Sequence, residues 1–147
     1  MDPSDLVNRL MDIERAGEQR CTASAALVRQ GPLKAQLLLQ AAEHRAAAEA
    51  LNDAVVQLRG TPQSGEADVV LRDPAGPGFP IDADQERVLL DSCIAEAEGA
   101  LDSYRQALRQ PGLPTWLQRQ LGERLASAQD QFQRLVEARD HAASAIQ

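Results

Sequence analysis

The chain has 147 residues, of which 44% are hydrophobic but only 3% aromatic, and its formal net charge is −7. Nucleic-acid binding needs basic surface and aromatic stacking platforms, so this composition argues against a DNA- or RNA-binding protein. No apolar run approaches the ~20 residues of a membrane-spanning helix, and the N-terminal stretch MDPSDLVNRL has no apolar core, unlike a signal peptide. We therefore expect a single cytoplasmic domain over residues 1–147, without a membrane partner.

Two helices are predicted in the first part of the chain, at about 3–29 and 32–59. Asp2 can cap the first helix, Pro3 suits its first position, and Gly31-Pro32 ends it and starts the next. Both helices carry apolar or small residues at spacings of three and four, which is typical of a helix with one buried face. These residues are Leu6, Leu10, Ile13, Gly17, Cys21, Ser24 and Val28 in the first helix, and Leu37, Ala41, His44, Ala48, Leu51, Val55 and Leu58 in the second.

The segment that follows, residues 60–81, is predicted to be a long connection between two helical hairpins. It is rich in Gly and Pro, which end the second helix at Gly60 and Pro62. A connection of this length can run from one end of a helical bundle to the other. Its short apolar stretch, Val69–Leu71, is expected to pack against the side of the bundle.

Two further helices are predicted at about 82–110 and 115–144. Asp82 and Gln85 have the spacing of a capping box at the start of the third helix. The turn Pro111-Gly112-Leu113-Pro114 separates the third helix from the fourth. Both helices again carry an apolar stripe, formed by Leu90, Cys93, Ile94, Ala97, Leu101, Tyr104 and Leu108 in the third, and by Leu117, Leu121, Arg124, Ala128, Phe132 and Leu135 in the fourth.

The two halves of the chain form a weak internal repeat. A shift of 80 residues places Glu18 on Glu98 and Leu37 on Leu117, and the two tight turns then coincide. This pattern predicts a duplicated helical hairpin. Two hairpins joined by a long crossover have the connectivity of the ferritin-like bundle. We therefore predict an all-α, ferritin-like four-helix bundle in which the second and third helices are parallel.

Four segments also carry a family resemblance: Gly17-Glu18, Glu49–Leu51, Cys93 with Tyr104–Leu108, and Ala138–Asp140. Together they resemble the uncharacterised bacterial ferritin-like proteins, small four-helix bundles of undefined function, and the resemblance covers most of residues 5–140. It implies a four-helix bundle and raises the question of a metal centre. The chain departs from the family pattern at two positions. Ala97 stands where the third helix of the family has a glutamate, and Phe132 stands where such proteins often have a histidine.

Ferritin-like di-metal centres take a Glu from each of two helices and a Glu-x-x-His motif from each of the other two. The chain contains no Glu-x-x-His, although the repeat places four acids near mid-helix, Glu18, Glu43, Glu98 and Glu123. At about 100° per residue, Glu43 and Glu123 point away from the apolar stripes and are expected to face solvent. The residues that follow them, His44 and Arg124, are expected to face inward.

We predict a layer at the middle of the bundle that contains Glu18, Glu98, His44 and Arg124. In one interpretation this is an ion-pair network in which Arg124 lies within salt-bridge reach of Glu98, Glu18 or both. In a second, the rotation of the helices leaves both glutamates in solvent at the bundle edge. In a third, Glu18, Glu98 and His44, with help from Glu14, hold an iron or manganese ion, which the guanidinium of Arg124 would repel.

The chain has no Gly-rich phosphate loop, no Cys-x-x-Cys and no nucleophile elbow. We therefore expect a non-enzymatic helical bundle without a cofactor, which acts by association with itself or with a partner protein. A homodimer could use apolar residues left over on helix faces, such as Leu38 and Leu39. The alternative function is a carboxylate/His metal-binding protein in iron handling or oxidation. Cys21 and Cys93 lie inside helical patterns and are expected to be reduced thiols.

Overall fold

A computed structural model of the protein describes residues 2–28, 31–60 and 82–145. These residues form four helices, α1 (Pro3–Leu27), α2 (Gly31–Gln57), α3 (Ala83–Leu108) and α4 (Thr115–Ala145). The described ranges contain no strand, so the predicted all-α architecture of four helices is confirmed. Among the described helices, none is both long and apolar enough to cross a membrane.

Local capping interactions determine where the helices begin. The Asp2 side chain accepts a hydrogen bond from the Ser4 backbone N–H at 3.4 Å. The predicted capping box of α3 is present, because Asp82 Oδ1 accepts from the Gln85 N–H at 2.8 Å and Gln85 Oε1 accepts from the Asp82 N–H at 2.9 Å. The Asp2 cap and the capping box of α3 both satisfy backbone donors that have no partner within the helix. The sequence was therefore a reliable guide to the start of α1 and α3.

The end of α2 shows a role for Gly60 that differs from the predicted one. Arg59, and not a glycine, takes the positive φ angle of 61° that ends the helix. The Gly60 N–H donates to the Val55 carbonyl at 2.9 Å, five residues back, and the Arg59 N–H donates to the Val56 carbonyl at 2.9 Å. These are the two hydrogen bonds of a Schellman motif. A β-carbon at Gly60 would overlap the side chain of Ser4. Glycine is therefore required here because the end of α2 packs directly against the start of α1.

The hydrophobic core consists of two clusters, one toward each end of the bundle. The first joins the beginning of α1, the end of α2, the end of α3 and the beginning of α4, and includes Leu10, Leu51, Tyr104 and Leu121. The second joins the opposite ends of the same helices and includes Ala25, Leu37, Leu90 and Leu135. The clusters therefore place the ends of α2 and α3 together, so these two helices run in the same direction. The segment that links them, and its predicted path along the bundle, lie outside the described residues.

The helices pack more closely within each hairpin than between the hairpins. Helix α1 is in extensive contact with α2, and α3 with α4, whereas α1 touches α3 and α2 touches α4 only sparsely. The two core clusters close the ends of the bundle. Between them, at mid-height, the hairpins leave room for a layer of polar side chains and for a cavity.

Candidate functional site

The centre of the bundle contains a buried carboxylate, Glu14 of α1, which is 1% exposed. Arg124 of α4 approaches it with Nη2, at 2.7 Å from Glu14 Oε2 and 3.1 Å from Oε1. A carboxylate buried to this extent would be strongly destabilising without a partner of opposite charge. The Arg124 side chain is itself only 11% exposed, so the pair is held away from solvent on both sides. This ion pair ties the first hairpin to the second.

His44 of α2 completes the charged part of the layer. Its Nδ1 atom lies 3.4 Å from Glu14 Oε2 and 3.4 Å from Arg124 Nη2. Arg124 can only donate and an ionised Glu14 can only accept. Nδ1 therefore accepts from Arg124 when it carries no proton and donates to Glu14 when it does. A β-carbon at Gly17 would lie 2.8 to 2.9 Å from three atoms of the imidazole ring, so only glycine at this position leaves space for it.

Two amides extend the layer toward α2 and the middle of α4. Gln131 Oε1 accepts from Arg124 Nη2 at 3.3 Å, and Gln131 Nε2 donates to Glu43 Oε2 at 2.8 Å. Gln40 Nε2 donates to the Gln131 backbone carbonyl at 3.4 Å. Glu43 is therefore half-buried and bound within the layer, and the expectation that it faces solvent is wrong. The helical periodicity of α2 alone did not reveal this, because the hydrogen bond depends on Gln131 of another helix.

Tyr104 of α3 lies beneath the same ion pair and is completely buried. Burial raises the pKa of its hydroxyl, and the Glu14 carboxylate adds to this rise, whereas Arg124 opposes it. Within the described residues, Arg124 Nε is buried without a hydrogen-bond partner, and the Tyr104 hydroxyl lies near Glu14 and Arg124 without making a hydrogen bond of good geometry to either. Such unpaired polar groups are uncommon in folded proteins and cost free energy. The polar layer is thus closely packed but incompletely satisfied.

The predicted site residues separate into two groups. Glu14 and His44 meet in the layer, together with Arg124, but Glu18 and Glu98 do not. Glu18 Oε1 lies 2.8 Å from Arg45 Nε on the outer side of α1 and α2, and Glu98 is exposed. The predicted pairing of Arg124 with Glu18 or Glu98 is therefore corrected to Glu14. The sequence offered a signal for this, because Glu14 stands seven residues from two apolar residues of α1, Val7 and Cys21, and the structure buries all three.

The residues of this layer do not fit the metal centre that the family resemblance implies. The described part of the chain contains no group of three or more His, Cys, Asp and Glu side chains arranged to hold a metal ion. Of the four ligands considered, only Glu14 and His44 come together, and Arg124 Nη2 lies within reach of both. A guanidinium in this position occupies the place of a cation and repels another one.

A cavity of about 520 Å³ lies between the hairpins, beside the polar layer. Its walls come largely from small and apolar residues of α1 and α3, because the short side chains of Gly17, Ala97, Gly99 and Ala100 leave the two helices apart. Glu14, His44, Arg124 and Gln131 form its polar side. Cavities of this volume, with apolar walls and a few convergent polar groups, are typical of small-molecule sites.

An ion pair and two thiols complete the lining of the cavity. Arg20 of α1 pairs with Glu96 of α3, and both side chains are partly exposed. Cys21 and Cys93 are buried free cysteines, and Ser24 Oγ lies 3.7 Å from Cys93 Sγ. Burial raises the pKa of the Cys21 thiol to about 12, with Cys93 adding to the rise, and burial also raises the pKa of Cys93. Both groups are therefore neutral thiols at physiological pH.

No protein-family model matches this chain, and no curated protein matches it. Its function is therefore inferred from the geometry of the polar layer and the cavity.

Proposed function

We propose that this protein is a non-enzymatic binding protein that holds a small molecule in the cavity between its two hairpins. The observation that carries this proposal is the cavity of about 520 Å³ beside a buried polar layer. Side chains normally fill the interior of a closely packed bundle, so a pocket of this size that reaches the buried polar layer is unusual. Here the glycines and alanines of α1 and α3 keep it open.

The chemistry of the lining supports binding and not catalysis. The acid at the centre of the layer, Glu14, is held by Arg124 through both carboxylate oxygens. The two thiols in the lining have raised pKa values, which makes them weak nucleophiles at neutral pH. An enzyme of this type would need an activated nucleophile or a free general base next to the substrate.

Filling the cavity tests the proposal. Gly99 lies at the exposed part of the cavity lining, and a β-carbon placed there meets no atom within 4 Å, so a leucine can be accommodated there without a clash. Gly122 of α4 has equally open surroundings but does not line the cavity, so Gly122→Leu is a matched control. The probe is N-phenyl-1-naphthylamine, an uncharged dye whose fluorescence rises in apolar sites. We expect Gly99→Leu to weaken its binding by roughly tenfold or more, a loss of about 1.4 kcal/mol, and Gly122→Leu to leave binding unchanged. Equal binding by wild type and Gly99→Leu would contradict the proposal.

We also propose that the bundle has ferritin-like connectivity, with residues 61–81 passing along its side. The shared direction of α2 and α3 supports this, because a chain that leaves the end of α2 must return to the opposite end of the bundle to begin α3. An experimental structure that resolves residues 61–81 tests the path. An α3 that begins beside the end of α2 and runs antiparallel to it would overturn the proposal.

A second candidate function is self-association through the outer face of α2. Leu38 is 47% exposed and Leu39 is 50% exposed, and three alanines at positions 35, 42 and 46 are exposed on the same side of the helix. A helix that is apolar on both its inner and its outer face is usually covered on both. The occupant we propose is a second copy of the chain. In an antiparallel two-fold pairing centred between residues 42 and 46, Lys34 of one copy lies within a turn of Asp53 of the other, which gives opposite charges across the interface.

Sedimentation velocity tests the association. Leu39→Glu should convert the dimer to a monomer, because in this pairing residue 39 faces the exposed Glu49 of the other copy, and the variant would replace an apolar contact with two like charges. Val88, which is 68% exposed on α3, provides the matched control Val88→Glu, which should remain dimeric. A wild-type protein that is monomeric at high micromolar concentration would exclude this candidate.

The proposal does not include the alternative function considered from the sequence, which is metal binding. A metal analysis of the purified protein distinguishes the two. Protein purified without chelator, with iron or manganese supplied, should contain neither metal in stoichiometric amount. Bound metal that is lost in both Glu14→Ala and His44→Ala would replace the proposal with a role in iron handling or oxidation. The proposed setting is the cytoplasm, where the two thiols stay reduced.

A further inference from the structure

We infer that the ligand of the inter-hairpin cavity is an uncharged, mainly apolar molecule. This inference rests on the proposed function and specifies its ligand class. It follows from how the charges that line the cavity are distributed and paired.

The charged side chains of the lining balance one another. Apart from the imidazole of His44, which lies against both members of the inner pair, they are two cations, Arg20 and Arg124, and two anions, Glu14 and Glu96. Each cation is already paired with an anion: Arg20 with Glu96 at the more exposed part of the lining, and Arg124 with Glu14 inside. No described charge of the lining is therefore left to neutralise a ligand.

A charged ligand that enters the cavity as far as the polar layer would consequently lose part of its hydration without gaining a counterion. It could enter only as an unpaired charge or by breaking one of the two ion pairs, and breaking a buried pair leaves a second unpaired charge behind. The inner pair is particularly resistant, since Glu14 is 1% exposed and both of its carboxylate oxygens contact Arg124 Nη2.

An uncharged apolar molecule meets no such obstacle. The remaining walls are formed largely by residues such as Ile13, Ala16, Ala97, Ala100, Ala128 and Leu135. The cysteine thiols of the lining are also neutral and behave as small apolar groups. His44 adds one hydrogen-bonding ring on the polar side, which suits a ligand with a single hydroxyl or carbonyl group.

Displacement of N-phenyl-1-naphthylamine by three ten-carbon compounds tests the ligand class. The compounds are 1-decanol, which is neutral, decanoate, which is an anion, and decylammonium, which is a cation. We expect 1-decanol to displace the dye at a concentration roughly tenfold or more below that needed for either ion. Displacement by decanoate or decylammonium as effective as that by 1-decanol overturns the inference.

Unbalancing the partly exposed pair sharpens the test. Glu96→Gln leaves Arg20 without its partner and should improve displacement by decanoate relative to 1-decanol by roughly threefold. Arg20→Gln should improve displacement by decylammonium in the same way. The control is Asp130→Asn, which breaks an exposed pair with Arg134 outside the cavity and should change neither ratio. Unaltered ratios in both Glu96→Gln and Arg20→Gln would also contradict the inference.

Different outcomes decide whether the cavity binds ligands and which class of ligand it binds. If the dye binds and Gly99→Leu abolishes its binding, but an ion displaces it best, the cavity binds ligands and only the ligand class is wrong. If the dye binds with no dependence on Gly99→Leu, the proposed function itself is wrong.

Discussion

Removing the guanidinium from the polar layer should destabilise the protein strongly. In Arg124→Ala the carboxylate of Glu14, which is 1% exposed, loses the partner that lies 2.7 Å away. Breaking a buried ion pair on one side costs roughly 3–5 kcal/mol, because the remaining charge is uncompensated. Domains of about this size lose roughly 2–4 °C in Tm for each kcal/mol. We therefore expect Tm to fall by roughly 6–20 °C, measured by circular dichroism and supported by urea denaturation.

Two variants separate the buried pair from a general effect of removing arginine. Arg134 forms an exposed pair with Asp130 at 2.9 Å on the same helix, so Arg134→Ala should change the free energy of unfolding by no more than about 0.5 kcal/mol. Replacing both partners by apolar residues of similar length, Glu14→Met with Arg124→Met, should recover most of the loss, because no charge is then stranded. If Arg124→Ala melts at the same temperature as Arg134→Ala, the layer is solvated and our account of it is wrong.

Three further measurements test other features of the structure. Gly17→Ala should be less stable than Gly122→Ala by roughly 1–3 kcal/mol, because the new β-carbon collides with the His44 ring. Gly122 has open surroundings and serves as the control. Equal thermal stability of the two variants would show that the ring moves freely. The free energy of unfolding should fall as the pH rises from about 9 toward about 12, because the pKa of Cys21 is raised from 9.0 to about 12 in the folded protein and the unfolded chain loses its proton first. Cys21→Ala should make this decline shallower in urea titrations at about pH 8 and about pH 10, and an unchanged slope would count against the burial of the thiol. Gly60→Ala should lower Tm, because its β-carbon overlaps the side chain of Ser4. The same variant should increase the rate of amide hydrogen exchange at the start of α1. No change in Tm or in exchange would indicate that the contact between Gly60 and Ser4 is loose.

The helices could be predicted from the sequence because their signals are local. Period, caps and turn residues act within a few positions of one another, as the box formed by Asp82 and Gln85 shows. The direction of α2 and α3 also agreed with the expectation drawn from the length of the segment between them. Local signals of this kind predict the positions of helices even when the tertiary contacts are unknown.

The site could be predicted only in part because it depends on helix rotation. Glu14 and Glu18 are four residues apart, and a rotation of about 40° decides which of them faces the core. A helix in a bundle keeps an inward seam at every seventh residue, which selects Glu14 and leaves Glu18 beside Arg45. Estimating direction from 100° per residue along a long stripe accumulates an error of this size. The cavity could not be predicted in this way, because its volume depends on the distance between the hairpins.

The pairing of Glu14 with Arg124 also bears on the order in which the protein folds. The two residues are separated by 110 positions in the chain, and they belong to different hairpins. Each hairpin can form early from contacts between neighbouring helices, whereas this pair can form only once both hairpins have docked. An interaction made after the rate-limiting step has a small φ-value, so its loss accelerates unfolding and leaves the refolding rate almost unchanged. We therefore predict that the pair forms after the rate-limiting step, so that Arg124→Ala unfolds faster than the wild type while its refolding rate is nearly unchanged.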